Sequence, residues 1–405
     1  MDLEKRLYEA LKLHKVSPPS PRPDLFRLPP VGKIIENDYG RVWMVETIYD
    51  IGYLHGHVEL SDFIQSNSLE LFDTVCNHEN FTFKKIAVFD TETTGLAGGT
   101  GTYPFIAGIG FWSNDSFIVR QYILRDFSEE PAQLKAFADD LTNCTCLLTY
   151  NGKSFDIPLM LTRYRINRLE IPFSDYPHLD LVHPCRRIYK RHFESFALSH
   201  LEIEILGYQR MDDVPSHLIP RIYFDYLQNR DDRLLLPILN HNRDDIVSLY
   251  LLAQETQRRV SLAIADGHND DNLLLSLAEL FYKNKNLEKS NQLLERVKPQ
   301  FCSKETLNDT LMLQAIIAKK TRNWDSAISL WQNMLRAGRF GIYPHIELAK
   351  HYEHRLRDFN LALKMTQDAF KVIEIERELE SSNTAESHLN ALRRRRNRLL
   401  RKLSK

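Results

Sequence analysis

Asp90, Glu92, Asp156, His241 and Asp245 have residue types and spacings suited to acid–base and cation chemistry. Asp90-Thr91-Glu92 follows the apolar run Ile86-Ala-Val-Phe89, which reads as a buried strand. Side chains two apart on a strand point to the same side, so both carboxylates can face one cation. Two acids at the end of a hydrophobic strand are costly unless something cationic pairs with them. Mg2+ and Mn2+ prefer such hard oxygen donors. Alone, the pattern also fits a solvated strand end.

Tyr150-Asn-Gly-Lys-Ser-Phe-Asp156 runs from an apolar strand through an Asn-Gly turn, placing Asp156 in the first turn of a helix. An acid there can simply favour the helix dipole. It also sits at a strand-to-helix junction, where sites of α/β proteins form. His241 and Asp245 are four apart in a helical stretch and share one face. Asp244 is the rival carboxylate, but it lies off that face. Together the four acids can hold two Mg2+ or Mn2+ ions about 3.5–4 Å apart, an arrangement that hydrolyses phosphodiesters. The His241 imidazole is suited to take the proton of the attacking water. No glycine-lysine phosphate motif follows the glycines at 95, 98, 99 and 101. The acidic cage therefore favours phosphodiester hydrolysis over nucleoside-triphosphate binding.

Residues 84–255 resemble the YprB-type ribonuclease-H-like domain of the wider DEDD exonuclease superfamily. The likeness is carried by Phe89-Asp-Thr-Glu-Thr-Thr-Gly-Leu-Ala-Gly-Gly-Thr-Gly101, Tyr150–Asp156, Asp180-Leu-Val-His-Pro-Cys-Arg-Arg187 and His241-Asn-Arg-Asp-Asp245. It implies a ribonuclease-H-like fold and 3′→5′ exonuclease activity on DNA or RNA, in repair or processing. It further implies that Asp90, Glu92, Asp156 and Asp245 bind the metal. One spacing departs from the family: the histidine stands four residues before the last aspartate, the spacing used by tyrosine-type members. Thr93, Asn151, Lys153, Arg186 and Arg187 are the candidate substrate contacts.

The elements that must position these residues can be read from periodicity. Pro104–Trp112 and Ser116–Leu124 are apolar runs separated by Ser113-Asn114-Asp115, a hairpin signal. A helix over 131–141, a strand at 146–150, a helix over 155–167, a strand at 178–182 and helices from 196 to 256 follow. Hairpin strands and then alternating strands and helices predict a mixed α/β sheet flanked by helices, over residues 84–256. Upstream, residues 1–83 read as an arm: an amphipathic helix over 1–17, the proline-rich stretch 17–23, and a small strand pair within 40–58.

Residues 270–405 read as all-helical. Asn286-Leu-Glu-Lys-Ser290, Asn323-Trp-Asp-Ser-Ala327 and Asp358-Phe-Asn-Leu-Ala362 align with one another, each after a helix carrying Ala278, Ala315 or Ala349. Their spacing is close to the roughly 34-residue tetratricopeptide unit. Stacked helix pairs expose grooves suited to a partner, and the family resemblance implies a helicase. A scaffold that only holds nucleic acid is thus the alternative to a nuclease, and a mononucleotide or nucleotide-sugar hydrolase is a third reading. Arg393–Lys405 is strongly basic and reads as a capping helix with a solvated face.

The bulk numbers narrow the classes. With 53 basic and 54 acidic residues, no global field draws the chain to nucleic acid, so local patches must. Cys76, Cys144, Cys146, Cys185 and Cys302 form no C-x-x-C pair and read as reduced thiols. No run of about 18 apolar residues exists, and the charged start lacks a signal-peptide core, so a cytoplasmic protein is expected.

Overall fold

The computed structural model describes residues 30–61, 85–95, 99–211, 213–265, 270–298, 300, 302–379 and 383–404. The expected helix over 1–17, the proline-rich stretch, Cys76 and Gly98 lie outside them. The chain divides into two compact units, Met1–Ser261 and Leu262–Lys405.

The first unit is built on a seven-stranded mixed sheet flanked by helices. Its strands are β1 (Lys33–Asn37), β2 (Gly40–Asp50), β5 (Ile86–Thr93), β6 (Pro104–Ser113), β7 (Ser116–Ile123), β8 (Cys146–Thr149) and β9 (His178–Asp180). A separate hairpin pairs β3 (Leu54–His55) with β4 (Val58–Glu59). The spatial order is β1-β2-β7-β6-β5-β8-β9. β5 pairs antiparallel with β6 on one side and parallel with β8 on the other. The β6–β7 turn carries Asn114 at φ +53°, a left-handed conformation that asparagine tolerates. Of the small strand pair expected within 40–58, only the short β3–β4 hairpin is local; β2 instead pairs with β1 and, along eight residues, with β7, and extends the central sheet. No local periodicity reports a partner so distant in sequence.

The sheet is covered on its faces by separate apolar clusters. One joins Ala87, Phe89, Ala107 and Ile109 to helix α1 (Glu130–Leu141) and to Met160 and Tyr164 of α2 (Asp156–Ile166). Another joins Phe105, Ile106 and Ile123 to Tyr223 and Tyr226 of the helix Ile219–Asn229 and to Ile238 and Leu239. The last two belong to the long helix Leu236–Ile264, called α6 below, since three shorter helices precede it (α3 Val182–Ile188, α4 Leu198–Leu201 and α5 Ile219–Asn229). β6 meets α6 at Gly108 and Gly110. A Cβ on Gly108 would lie 2.2 Å from Asn242 Oδ1, and one on Gly110 would lie 2.6 Å from Ile246. Bare backbone at these two positions lets the helix approach the sheet.

The second unit is helical. Hairpins Asp271–Lys283/Leu287–Glu295, Lys304–Lys320/Trp324–Ala337 and Tyr343–His351/Phe359–Leu379 repeat one turn design. Lys285, Arg322 and Arg357 take left-handed φ of +63°, +59° and +55°. The next residue then caps the following helix: Asn286, Asn323 and Asp358 each accept a backbone N–H three residues on. The aligned small residues Ala278, Ala315 and Ala349 are buried, as are Ser290, Ala327 and Ala362. Ser290 Oγ also donates to the Ala278 carbonyl at 2.7 Å.

The closing helix Asn383–Leu403 carries the basic run, and part of it has a structural task. Arg395, Arg398 and Lys402 converge on Glu353, a buried carboxylate, at 3.1, 2.8 and 3.0 Å. Burial alone would raise this carboxyl, but Arg398, Lys402 and Arg395 outweigh it and hold it at about 2. A depressed value in the fold means stability that is complete above the ordinary carboxylate range and is lost as pH falls toward about 2. Glu353→Gln is expected to cost about 1–2 kcal/mol at neutral pH. Urea unfolding and faster hydrogen exchange in 383–403 would register it. Unchanged exchange there would show that the cluster does not hold the helix.

No helix among the described residues is long and apolar enough to cross a membrane. Cys144, Cys146 and Cys185 are buried free thiols, and Cys302 is half-buried.

Candidate active site

Three elements deliver the acids to the end of β5. β5 supplies Asp90 and Glu92, with an irregularity in its pairing at Glu92/Thr93. Thr91 lies between them, and its hydroxyl donates to Asp156 Oδ1 at 2.5 Å. Asp156 opens α2. The turn before it is organised by Asp180 of β9, which accepts the backbone N–H of Asn151 at 2.7 Å and of Lys153 at 3.1 Å. Asn151 has φ +62°, and Gly152 is crowded against Thr149. The Asn-Gly pair is thus where the chain reverses sharply.

α6 brings His241 and Asp245 together one helical turn apart. His241 Nε2 lies 3.4 Å from Asp245 Oδ2 and 3.8 Å from Glu92 Oε1. Ligand atoms of Glu92, His241 and Asp245 all fall within 4.8 Å of one another, a grouping that could hold a metal ion. Asn242 locks the helix to the strand. Its amide donates to Asp90 Oδ2 at 2.9 Å and to the Asp90 carbonyl at 3.2 Å. Its Oδ1 accepts from buried Gln121 Nε2 at 2.9 Å.

Electrostatics join Asp90 and Asp156 to this group. Burial first, then Asp245, Asp156 and Glu92, push the Asp90 carboxyl well above the ordinary range. Glu92 is pushed up to about 8 by burial, with Asp245 and Asp156 adding to it and His241 and Arg210 opposing. Asp156 is pushed up to about 6 by burial, against the Thr91 hydrogen bond. Burial works against the His241 imidazolium, but Asp245, Glu92 and Asp213 outweigh it and raise its value. Crowded, desolvated carboxylates of this kind are the donor set that a hard divalent cation stabilises. The residues fit such a cation.

Sequence reasoning missed the segment that lies along α6 on its polar side. Tyr208 donates to Asp244 Oδ2 at 2.9 Å, so Asp244 is engaged outside the cluster. Arg210, with its side chain 7% exposed, pairs with buried Glu202 at 2.5 Å and also with Asp245. Asp213 Oδ1 lies 2.6 Å from His241 Nδ1. These residues fall within the span expected to be helical, 196 to 256, but the described residues from 207 to 215 form no helix. Nothing local signalled them.

The candidate substrate contacts are spread more widely. Thr93 is buried, and its hydroxyl donates to the Gly95 carbonyl. Asn151 and Lys153 are exposed on the turn before Asp156, and Arg186 and Arg187 are exposed on α3.

With fold and site in place, comparison with known proteins gives a class: residues 87–257 match the RNase_H superfamily. This domain points to a nuclease that binds nucleic acid, and nucleases with RNase H-like domains usually use divalent metals. The chain is also 29% identical over 342 residues to "Uncharacterized protein YprB" of Bacillus subtilis (strain 168). That alignment spans 83% of this chain and 81% of the relative, so the likeness extends beyond the superfamily domain.

Proposed function

We propose that the protein is a divalent-metal-dependent 3′→5′ exonuclease acting on DNA or RNA. The observation that carries this reading is the meeting of Asp90, Glu92, Asp156, Asp245 and His241 at the end of one strand, with carboxyl groups pushed upward by burial and by one another. Asp90, Glu92, Asp156 and Asp245 would hold Mg2+ or Mn2+, which when bound stabilises the charge that develops on a phosphate undergoing hydrolysis. His241 Nε2 faces Glu92 and Asp245, which supports a role for it in taking a proton from the attacking water. Lys153, Arg186 and Arg187 are exposed cations available to backbone phosphates. The 3′→5′ direction rests on the likeness of the four motifs to DEDD exonucleases. The helical repeats would form a tetratricopeptide-like partner surface.

The test uses 5′-labelled single- and double-stranded DNA and RNA with Mn2+, comparing the native chain with Asp156→Asn. A ladder shortening from the 3′ end, lost in the variant, is expected, and it would also name the substrate. Retained binding without any metal-dependent product would replace this reading with a nucleic-acid scaffold.

A further inference from the structure

The His241 imidazole has two nitrogens in different surroundings. Nε2 faces the carboxylates Glu92 and Asp245. Nδ1 faces away from them, with Asp213 Oδ1 at 2.6 Å and Arg210 Nη1 at 3.1 Å. These neighbours make opposite demands. A carboxylate only accepts, so it requires a proton on Nδ1, while a guanidinium only donates and requires a lone pair there. The shorter contact is the one to the carboxylate. Arg210 has other acceptors in Glu202 and Asp245, and its Nη1 also lies 3.6 Å from Asp213 Oδ2. Its demand on Nδ1 is the one that yields.

We infer that Asp213 is a positioning residue that holds the proton of His241 on Nδ1, leaving the Nε2 lone pair directed at the reacting water. Arg210 supports this arrangement from behind. Its guanidinium is fixed by two contacts to buried Glu202, from Nε at 2.9 Å and from Nη2 at 2.5 Å. From that anchor Nη1 reaches both Asp213 and His241, which limits where the Asp213 carboxylate can sit. Asp213 is itself one-third exposed (33%), so removing its carboxylate opens no cavity in the core. This inference rests on the nuclease reading for its catalytic meaning, and its structural half can be measured without turnover.

Asp213→Asn is the informative variant, because its amide can donate to Nδ1 and so reverse the tautomer, while Asp213→Ala only removes the acceptor. In Asp213→Asn, kcat should fall about 10²-fold, with KM and the Mn2+ concentration for half-maximal rate within about twofold of native. Asp213→Ala should fall less, Asp213→Glu should recover much of the rate, and Asp213→Asn should add little to His241→Gln. The tautomer is read independently by nitrogen-15 NMR of the histidine rings in the Mg2+-loaded full chain at alkaline pH, with His241 assigned by its loss in His241→Gln. A proton on Nδ1 in the native chain, moved to Nε2 in Asp213→Asn, is expected. A native His241 protonated on Nε2, or an Asp213→Asn variant with native kcat, would overturn the inference. If the native chain hydrolyses no substrate, the nuclease reading fails, and the NMR result still decides whether Asp213 sets the tautomer.

Discussion

Asp90→Asn should lower metal-dependent hydrolysis by about 10³-fold or more while raising the melting temperature of the metal-free protein at neutral pH. The two effects have one cause. The Asp90 carboxyl is raised in the fold by burial and by Asp245, Asp156 and Glu92, so its charged form is disfavoured there. For a group raised on folding, stability is complete below its ordinary value and is lost as pH rises through its folded one. At neutral pH the native metal-free protein therefore carries an electrostatic penalty that a neutral amide does not. The amide can still accept the Asn242 N–H that Asp90 accepts. Each kcal/mol so recovered should raise the melting temperature by about 2–4 °C. Mn2+ should stabilise the native chain strongly and the variant weakly, since a ligand stabilises only the state that binds it. Calorimetry with and without Mn2+ reads both quantities. Equal stabilisation of the two proteins by Mn2+ would remove Asp90 from the metal site.

Gly108→Ala should damage the site from a position that bears no chemistry. The added methyl would meet Asn242 Oδ1 at 2.2 Å and Ile246 Cδ1 at 2.6 Å. The Ile246 methyl can turn aside, but Asn242 is held by Gln121 on one side and Asp90 on the other. Relief requires α6 to move away from the sheet, and His241 and Asp245 move with it. Overpacking of this kind costs about 1–3 kcal/mol. A shift of the catalytic geometry by about 1 Å costs on the order of 10²-fold in rate. Urea unfolding and kcat measure the two effects, with Gly101→Ala as the folding control because nothing lies within 4 Å of a Cβ there. Native stability in Gly108→Ala would show that the close approach of helix and strand is not what positions the site.

The difference between Gly108 and Asp90 also explains what the sequence disclosed. Asp90 and Glu92 are legible because a strand places alternate residues on one side. His241 and Asp245 are legible because a helix brings residues four apart together. Asp156 is legible from the Asn-Gly turn ahead of it. Each of these signals is local. Gly108 looks like an ordinary weak point in a strand until α6 is known to cross it. Arg210 and Asp213 sit in a segment with neither period, and their roles depend on Glu202 and His241, residues that only the tertiary fold brings to them. The pairing of β2 with β7 was hidden for the same reason. In the second unit the repeat spacing was legible because Asn286, Asn323 and Asp358 each cap the helix that they precede.

That strand pairing has a consequence for how the chain is made. Asp50 is matched with Ser116 and Trp43 with Ile123, partners 66 and 80 residues apart. At a synthesis rate of about 5–20 residues per second, β2 emerges from the ribosome roughly 3–16 s before β7 exists. During that interval Val42, Trp43 and Met44, all buried in the finished sheet, can pair only with β1. The nascent chain thus passes through a sticky stage that ends only when β7 is translated, and slowing the ribosome between the two strands lengthens it.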